Sequence, residues 1–246
     1  KIIETYKINA LFYNRDYEPY AKKRDHLVKK ELKIPVITSK DSVIHEKEEI
    51  KTNSDGFYTV FTPYKNKWLA TNKEFQDEIK LDKLKFLQIN EDSSIQFDRW
   101  YDLLGFKNKN SYLKGGREAG LRQLQKFTNY IHEYDQKRDF PSLNQTSNLS
   151  PYLRFGCISV RECVKFANQF SSVGAKIWLS EIIWRDFYQM VCDTYPECDK
   201  KAIKPIYDSI KWEGDQAWYE LWTQGKTGFP IIDASMRQLN QTGLMH

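Results

Sequence analysis

The stretch Ala-Lys-Ile-Trp-Leu-Ser-Glu-Ile-Ile-Trp-Arg-Asp-Phe-Tyr, residues 175–188, decides how the fold and the function of this chain are interpreted. As a helix, it places large or charged side chains on one face, at steps of three and four residues: Trp178, Glu181, Arg185 and Tyr188. Trp184 lies on the flank of this face, about 100° from Arg185. A core-facing stripe would instead consist of Leu, Ile and Val. Two interpretations stay open: a half-buried ion pair of Glu181 with Arg185 beside core tryptophans, or a pocket wall for a flat, polar, stackable ligand.

Two further segments flank this helix in a fixed order. Upstream, residues 146–159 read Thr-Ser-Asn-Leu-Ser-Pro-Tyr-Leu-Arg-Phe-Gly-Cys-Ile-Ser. Downstream, residues 226–246 read Lys-Thr-Gly-Phe-Pro-Ile-Ile-Asp-Ala-Ser-Met-Arg-Gln-Leu-Asn-Gln-Thr-Gly-Leu-Met-His. In this order the segments resemble the photolyase/cryptochrome family of flavoproteins, and most closely its class I cyclobutane pyrimidine dimer photolyases. The resemblance covers nearly the whole chain and implies the tail of a doubly wound α/β antenna domain followed by an all-α FAD-binding domain, both incomplete.

Bulk composition is compatible with this interpretation but does not require it. The 246 residues are 40% hydrophobic and 15% aromatic, enough for a packed core in one or two domains. The net charge of +5 suits a polyanionic partner without demanding one. Four cysteines without a CxxC pair and only four histidines argue against a zinc site. With no run of about 18 apolar residues and no signal peptide, we expect a cytoplasmic, monomeric protein with reduced thiols and no membrane partner.

The resemblance divides the chain into three regions. Residues 1–69 are expected to be the C-terminal part of the antenna domain, residues 70–110 an interdomain linker, and residues 111–246 the N-terminal part of the helical FAD-binding and catalytic domain. Apolar runs in the first region predict short parallel strands at residues 8–14, 35–37, 42–44 and 57–61. A charged helix is predicted over residues 24–33, and a turn at Pro63 is expected to precede another helix.

Helical signals dominate the chain after Gly115. Apolar residues recur there at helical spacing: Leu121, Leu124, Phe127 and Ile131. Ser159 and Glu162 form the pattern of a capping box that opens a helix. Ser150 followed by Pro151 predicts a second helix start, with serine as the N-cap and proline in the first turn.

The resemblance implies a flavin site made of residues spread over this helical region. They are Tyr134, Thr146, Ser147, Asn148, Leu149, Ser150, Trp178, Glu181 and Arg185. Judged from the residues themselves, hydroxyls and N–H groups before a helix N-terminus suit a phosphate group, although ordinary helix caps have the same composition. Tyr134 alone is equally typical of a core tyrosine.

The resemblance also implies a surface that faces DNA, made of Arg138, Glu181, Trp184, Arg185 and Tyr188. A thymine dimer stacks poorly, so turning it out of the duplex costs less than turning out normal bases, and Trp184 offers it a flat wall. Glu181 is implied in catalysis, where a protonated carboxyl would hydrogen-bond a pyrimidine carbonyl; this requires burial that raises its pKa. Trp212 is implied as the solvent-side member of the electron-transfer triad, although a surface-packed aromatic is an equal alternative.

The expected activity is blue-light-driven repair of cyclobutane pyrimidine dimers in UV-damaged DNA, a carbon–carbon lyase reaction that uses electron transfer from reduced FAD. The alternatives are a cryptochrome-type photoreceptor without repair activity, a (6-4) photolyase and a helical protein without a cofactor. Arg237 and Met245 match the dimer photolyases rather than the (6-4) enzymes. The folate-binding pair of the family aligns with Tyr20 and Ala21, which argues against a folate antenna and leaves the antenna chromophore open. Because family members continue past His246, we expect an internal fragment that binds flavin weakly on its own.

Overall fold

The computed structural model describes residues 2–71, 75, 84–87, 103–105 and 112–246. The chain forms two compact units, the first of residues 1–73 and 115–212 and the second of residues 74–114 and 213–246. Most of the expected linker, residues 70–110, lies outside the described residues. The division of the chain into an antenna domain, a linker and a flavin domain therefore stays a prediction.

The first unit begins with an α/β part and continues with helices. Its elements are α1 (Ile2–Thr5), β1 (Leu11–Asn14), α2 (Pro19–Glu31), β2 (Val36–Ser39), α3 (Phe61–Ala70), α4 (Arg117–Phe127), α5 (Tyr134–Lys137), α6 (Ser150–Arg154), α7 (Val160–Ala167) and α8 (Val173–Thr194). Short 3₁₀ turns lie at Lys47–Glu49, Ile131–Glu133, Pro141–Leu143 and Pro205–Ser209. The predicted class, α/β followed by all-α, is confirmed.

Strands β1 and β2 pair in parallel, with Leu11 opposite Val36 and Asn14 opposite Ser39. Helix α2 connects them, which makes the βαβ unit typical of a doubly wound fold. This helix begins earlier than predicted, at Pro19, because proline is well tolerated in a first turn.

Two of the predicted strands are wrong. Residues 42–44 form a loop, in which the N–H of Ile44 donates to a side chain, Asp186, rather than to a neighbouring strand. Residues 57–60 are irregular, and helix α3 begins at Phe61. Pro63 therefore lies inside the first turn of α3, where its missing N–H costs nothing.

Helix α8, with 22 residues, is central to the first unit. It packs against α3, α5, α7 and the turn at residues 131–133. Its buried face includes Ile182, Ile183, Phe187 and Met190. Gly174 in its first turn permits the close approach to that turn, since a Cβ atom there would lie 2.7 Å from the carbonyl oxygen of His132.

The predicted capping box at the start of α7 is confirmed. The Glu162 N–H donates to Ser159 Oγ at 3.1 Å, and the Ser159 N–H donates to Glu162 Oε2 at 2.8 Å. The same carboxylate pairs with Arg117 of α4 at 2.7 Å, which ties two helices together. Helix α6 begins at Ser150 itself, and Leu149 rather than Ser150 is its N-cap, a shift of one residue.

The second unit contains a helical hairpin of α9 (Gln216–Thr223) and α10 (Pro230–Thr242). Asp233 shapes the connection, because its carboxylate accepts bonds from the N–H of Thr227 at 2.7 Å and of Gly228 at 3.0 Å. Arg237 Nη1 donates to the Gly225 carbonyl at 3.0 Å. Within the described residues, no helix has both the length and the apolar character that a membrane span needs.

Candidate active site

Three residues predicted for different roles lie in contact beside α8. Arg138, which directly follows α5, donates from Nη1 to Glu181 Oε1 on α8 in a short ion pair. Its guanidinium also lies 5.9 Å from the centre of the Tyr134 ring. Tyr134 is buried, and this burial together with the charge of Glu181 raises the pKa of its hydroxyl. We call Tyr134, Arg138 and Glu181 the acid–arginine cluster.

The partner of Glu181 differs from the one considered for the helix alone. An ion pair with Arg185 at i,i+4 was one interpretation, whereas the structure pairs Glu181 with Arg138, the residue directly after α5. The hypothesis of a protonated Glu181 requires burial, but 39% of this side chain is exposed.

Trp184 and Tyr188 form an aromatic stack with Phe61 of α3. The Phe61 and Trp184 rings are 3.6 Å apart and nearly parallel, at 6°. Trp184 and Tyr188 stack at 5.2 Å and 21°. Tyr188 is 58% exposed, so one end of the stack faces solvent. Phe61 was missed because no local pattern pairs an aromatic residue with a helix more than 100 residues away.

Arg185 points to a different part of the surface. Its Nε donates to the carbonyl of Ser42 at 3.3 Å. It lines a cavity of about 310 Å³ at the carboxyl ends of β1 and β2, with Arg15, Asp16 and Asp41 among its other walls. Glu181 is not among the residues that line this cavity. The helix face that suggested one pocket thus serves three neighbouring sites: the acid–arginine cluster, the aromatic stack and the Arg185 cavity.

Trp178 lies in the core rather than at an open surface. Only 2% of it is exposed, and its ring lies 5.1 Å from Phe127 and 5.9 Å from Phe166. Trp212, by contrast, is 86% exposed at the end of the first unit. The roles implied for both residues, flavin contact for Trp178 and electron transfer for Trp212, stay predictions.

The loop before α6 carries the oxygen-rich segment predicted for phosphate binding. Thr146 Oγ1 donates to Asn148 Oδ1 at 3.4 Å, and Gln123 Nε2 donates to the Ser147 carbonyl at 2.9 Å. Asn148 adopts a left-handed conformation with φ of 51°, which asparagine tolerates. Leu149 is buried while Ser150 is exposed, so the hydrophobic residue anchors a loop whose polar groups stay accessible.

Asp186 is a buried carboxylate that the sequence reasoning did not single out. It is fully buried, and its oxygens accept bonds from the N–H groups of Ile44 and His45 and from Trp68 Nε1, at 3.0, 3.1 and 2.9 Å. Burial raises the pKa of Asp186 to about 6, although these donors and Arg185 oppose the shift. A signal was present, because Asp186 falls at i+3 and i+4 from the apolar pair at residues 182–183.

Comparison with known proteins places the chain in a family. Residues 1–82 match the family model described as DNA photolyase. Residues 178–246 match the model described as the FAD binding domain of DNA photolyase. The chain belongs to the photolyase/cryptochrome family. This confirms the family that the motifs indicated and, at the level of the family model, FAD as its cofactor.

Curated relatives support the same family over the length of this chain. The deoxyribodipyrimidine photo-lyase of Vibrio cholerae is 34% identical, with 100% of this chain and 55% of the relative covered. The deoxyribodipyrimidine photo-lyase of Escherichia coli is 35% identical, with 97% and 52% covered. The chain thus spans about half the length of the curated relatives it matches.

Solved structures agree with the fold. A class III photolyase from Agrobacterium tumefaciens has a TM-score of 0.78 and 27% identity, and covers 100% of this chain and 53% of its own. An archaeal photolyase from Sulfolobus tokodaii, solved with two FAD molecules, has a TM-score of 0.74 and 28% identity over 100% and 53%. A cryptochrome from Synechocystis, at 22% identity and a TM-score of 0.75 over 99% and 54%, shows likeness of fold alone.

Proposed function

We propose that the protein takes part in blue-light-driven repair of cyclobutane pyrimidine dimers in UV-damaged DNA, as a deoxyribodipyrimidine photo-lyase with FAD as cofactor. The names of the relatives from Vibrio cholerae and Escherichia coli support this activity class. We further propose that the protein acts as a monomer in the cytoplasm, the compartment in which DNA is reached without crossing a membrane.

The acid–arginine cluster is the observation that carries the proposal. Arg138 and Glu181 are 43 residues apart in the chain, and the motifs assigned them separately to DNA contact and to catalysis. The structure joins them in an ion pair beside Tyr134, a residue that the motifs assigned to the flavin. A cation, an acid and a buried aromatic at one place suit a ligand that combines flat rings with polar edges.

The residues that would hold FAD fit the chemistry of that cofactor in part. The hydroxyls of Thr146 and Ser150 can bond phosphate oxygens, and Tyr134 lies near the carboxylate of Glu181. Reduced FAD, when bound, supplies the electron that splits the cyclobutane ring. The protein's own part is to place the Glu181 carboxyl within hydrogen-bond reach of a pyrimidine edge, and to exclude water with Tyr134 and its neighbours.

Two features favour a dimer photolyase over the other family members. Arg237 and Met245 stand where (6-4) photolyases carry other residues. Arg237 also has a structural part, because it holds the Gly225 carbonyl in the loop before α10. The similarity to the cryptochrome is one of fold only. The experiment below therefore includes a photoreceptor without repair activity as one of its possible outcomes.

The test is repair of an oligonucleotide that contains one dimer, under blue light and with reduced FAD added. We expect Glu181→Ala to lower the quantum yield of repair by about 100-fold if its hydrogen bond acts mainly in the transition state, with little loss of lesion affinity. The matched control is Glu133→Ala. Glu133 also belongs to an ion pair, with Lys137 at 2.7 Å, but its side chain is 53% exposed and points to a separate lysine.

Each result decides one part of the proposal. Equal repair by Glu181→Ala and the unchanged protein would refute the catalytic role of that carboxyl. An equal loss in Glu133→Ala would assign the effect to general surface charge. A protein that holds FAD and the damaged DNA, yet leaves the dimer intact under illumination, would refute the lyase activity and favour a photoreceptor.

A further inference from the structure

Three consecutive residues of α8 contact the α/β part of the first unit, each at a different point. Trp184 stacks on Phe61 at 3.6 Å. Arg185 Nε donates to the carbonyl of Ser42 at 3.3 Å. Asp186 reaches further into the interior and is fully buried. Trp184 and Arg185 also belong to the predicted lesion-facing set. One turn of α8 therefore both contacts residues 42–68 and contributes to the proposed site.

Asp186 makes the most constrained of these contacts. Its Oδ2 atom accepts from the N–H of Ile44 at 3.0 Å, from the N–H of His45 at 3.1 Å and from Trp68 Nε1 at 2.9 Å. These donors come from a loop and from helix α3, so they approach the carboxylate from separate elements. A buried carboxylate is strongly destabilising unless such donors surround it. The arrangement therefore permits little freedom in where Asp186 lies.

We propose that Asp186 is a positioning residue, which sets the rotation of α8 about its axis and thereby places Glu181, Trp184 and Tyr188 for the lesion. The inference rests on the proposed function and deepens it. The physical basis is geometric. If a side-chain tip lies about 6 Å from the helix axis, a rotation of the helix by about 10° moves that tip by about 1 Å. Misplacement by about 1 Å in a catalytic site can cost about 100-fold in rate.

The α/β part of the first unit thus has a direct part in the proposed site. Through residues 42–68 it determines how α8 presents its polar face. The competing explanation is that Asp186 only adds stability by fastening the loop. The structure offers a control for this explanation in Arg161 of α7, whose Nη1 donates to the Asp41 carbonyl at 2.7 Å and whose Nη2 donates to the Val43 carbonyl at 3.2 Å. Arg161 holds the same loop from α7 rather than from α8.

The experiment compares Asp186→Asn with Arg161→Gln in the full chain. Asparagine is uncharged: its oxygen can take the place of Oδ2, while its NH₂ replaces Oδ1, which in the wild-type protein accepts from the N–H of Ile44 at 3.3 Å. Fluorine NMR of protein labelled with fluorotryptophan reports on the ring of Trp184, assigned with Trp184→Phe. The second readout is the ratio of affinities for dimer-containing and undamaged DNA. We expect Asp186→Asn to shift or broaden the Trp184 signal and to lower this ratio at least about tenfold, while Arg161→Gln leaves both unchanged.

An unmoved Trp184 signal in Asp186→Asn, or the same shift in both variants, would overturn the positioning role. If Asp186→Asn does not fold, Trp68→Phe removes one donor and keeps the carboxylate, and its effect on the Trp184 signal decides instead. A wild-type protein that binds damaged and undamaged DNA equally would overturn the proposed function. In that case the fluorine signal still decides whether Asp186 fixes the position of α8, so the two failures are distinguishable.

Discussion

The buried carboxylate of Asp186 should give the protein an unusual pH dependence of stability. Burial raises the pKa of Asp186 from 3.8 to about 6. In the unfolded chain the group returns to its ordinary value, so between these two pKa values the folded state binds more protons than the unfolded state. The free energy of unfolding contributed by this group is therefore largest at acid pH and is lost as the pH rises through about 6.

The size of the effect follows from the shift. A difference of about 2 pKa units corresponds to about 3 kcal/mol, since one unit is about 1.4 kcal/mol. The assay is urea unfolding of the wild-type protein and of Asp186→Asn at a series of pH values from about 4 to about 8. Asparagine does not titrate, so the stability of wild type minus that of the variant should fall by up to about 3 kcal/mol over this range.

A matched control removes the contribution of ordinary carboxylates. The control is Asp55→Asn, the same substitution at a side chain that is 84% exposed and pairs with Lys51, and its difference from wild type is subtracted at each pH. A difference for Asp186→Asn that stays constant with pH after this subtraction would refute the reasoning. A difference that grows with pH would refute it more strongly, because it would mean that the donors around Asp186 outweigh its burial and lower its pKa.

Two further outcomes are expected. Gly174→Ala should lower the free energy of unfolding by about 1–3 kcal/mol, because the new methyl group overlaps the carbonyl of Ile131; an unchanged urea midpoint would contradict this. Asp233→Ala should speed amide hydrogen exchange at Thr227 and Gly228, whose N–H groups donate to the Asp233 carboxylate. Exchange rates equal to those of the wild-type protein would show that the loop keeps its structure without this carboxylate.

Local patterns predicted the helical part of the fold well. The periodicity of residues 175–188 places them within α8, and the capping box of Ser159 and Glu162 opens α7 as expected. Both signals depend on residues within one or two turns, where the geometry of the helix itself fixes the neighbours. The apolar run at residues 42–44 gave a wrong strand prediction, because its conformation depends on a residue far away in the chain. Val43 and Ile44 are buried, but the N–H of Ile44 bonds to Asp186 of α8 rather than to a neighbouring strand.

The candidate site could be predicted only as a set of residues on one helix. Its division into separate parts depends on partners far away in the chain: Arg138 for Glu181, Phe61 for Trp184 and the loop at residues 42–45 for Asp186. The bond between Asp186 and the N–H of Ile44 joins residues 142 positions apart. Helical periodicity says which side chains share a face, but it carries no information about what approaches that face.

The Trp184 indole already has two stacked ring partners. Phe61 lies nearly parallel to it at 3.6 Å, and Tyr188 stacks on it at 5.2 Å. A planar ligand that bound this indole would compete with these two rings, and they are unequal in this respect. Tyr188 is 58% exposed and can turn into water by a rotamer change, whereas Phe61 is half-buried and also contacts Phe187 at 5.8 Å. Tyr188 is therefore the ring that is more easily displaced. Its movement would expose the Trp184 ring, whose orientation the stacking with Phe61 maintains.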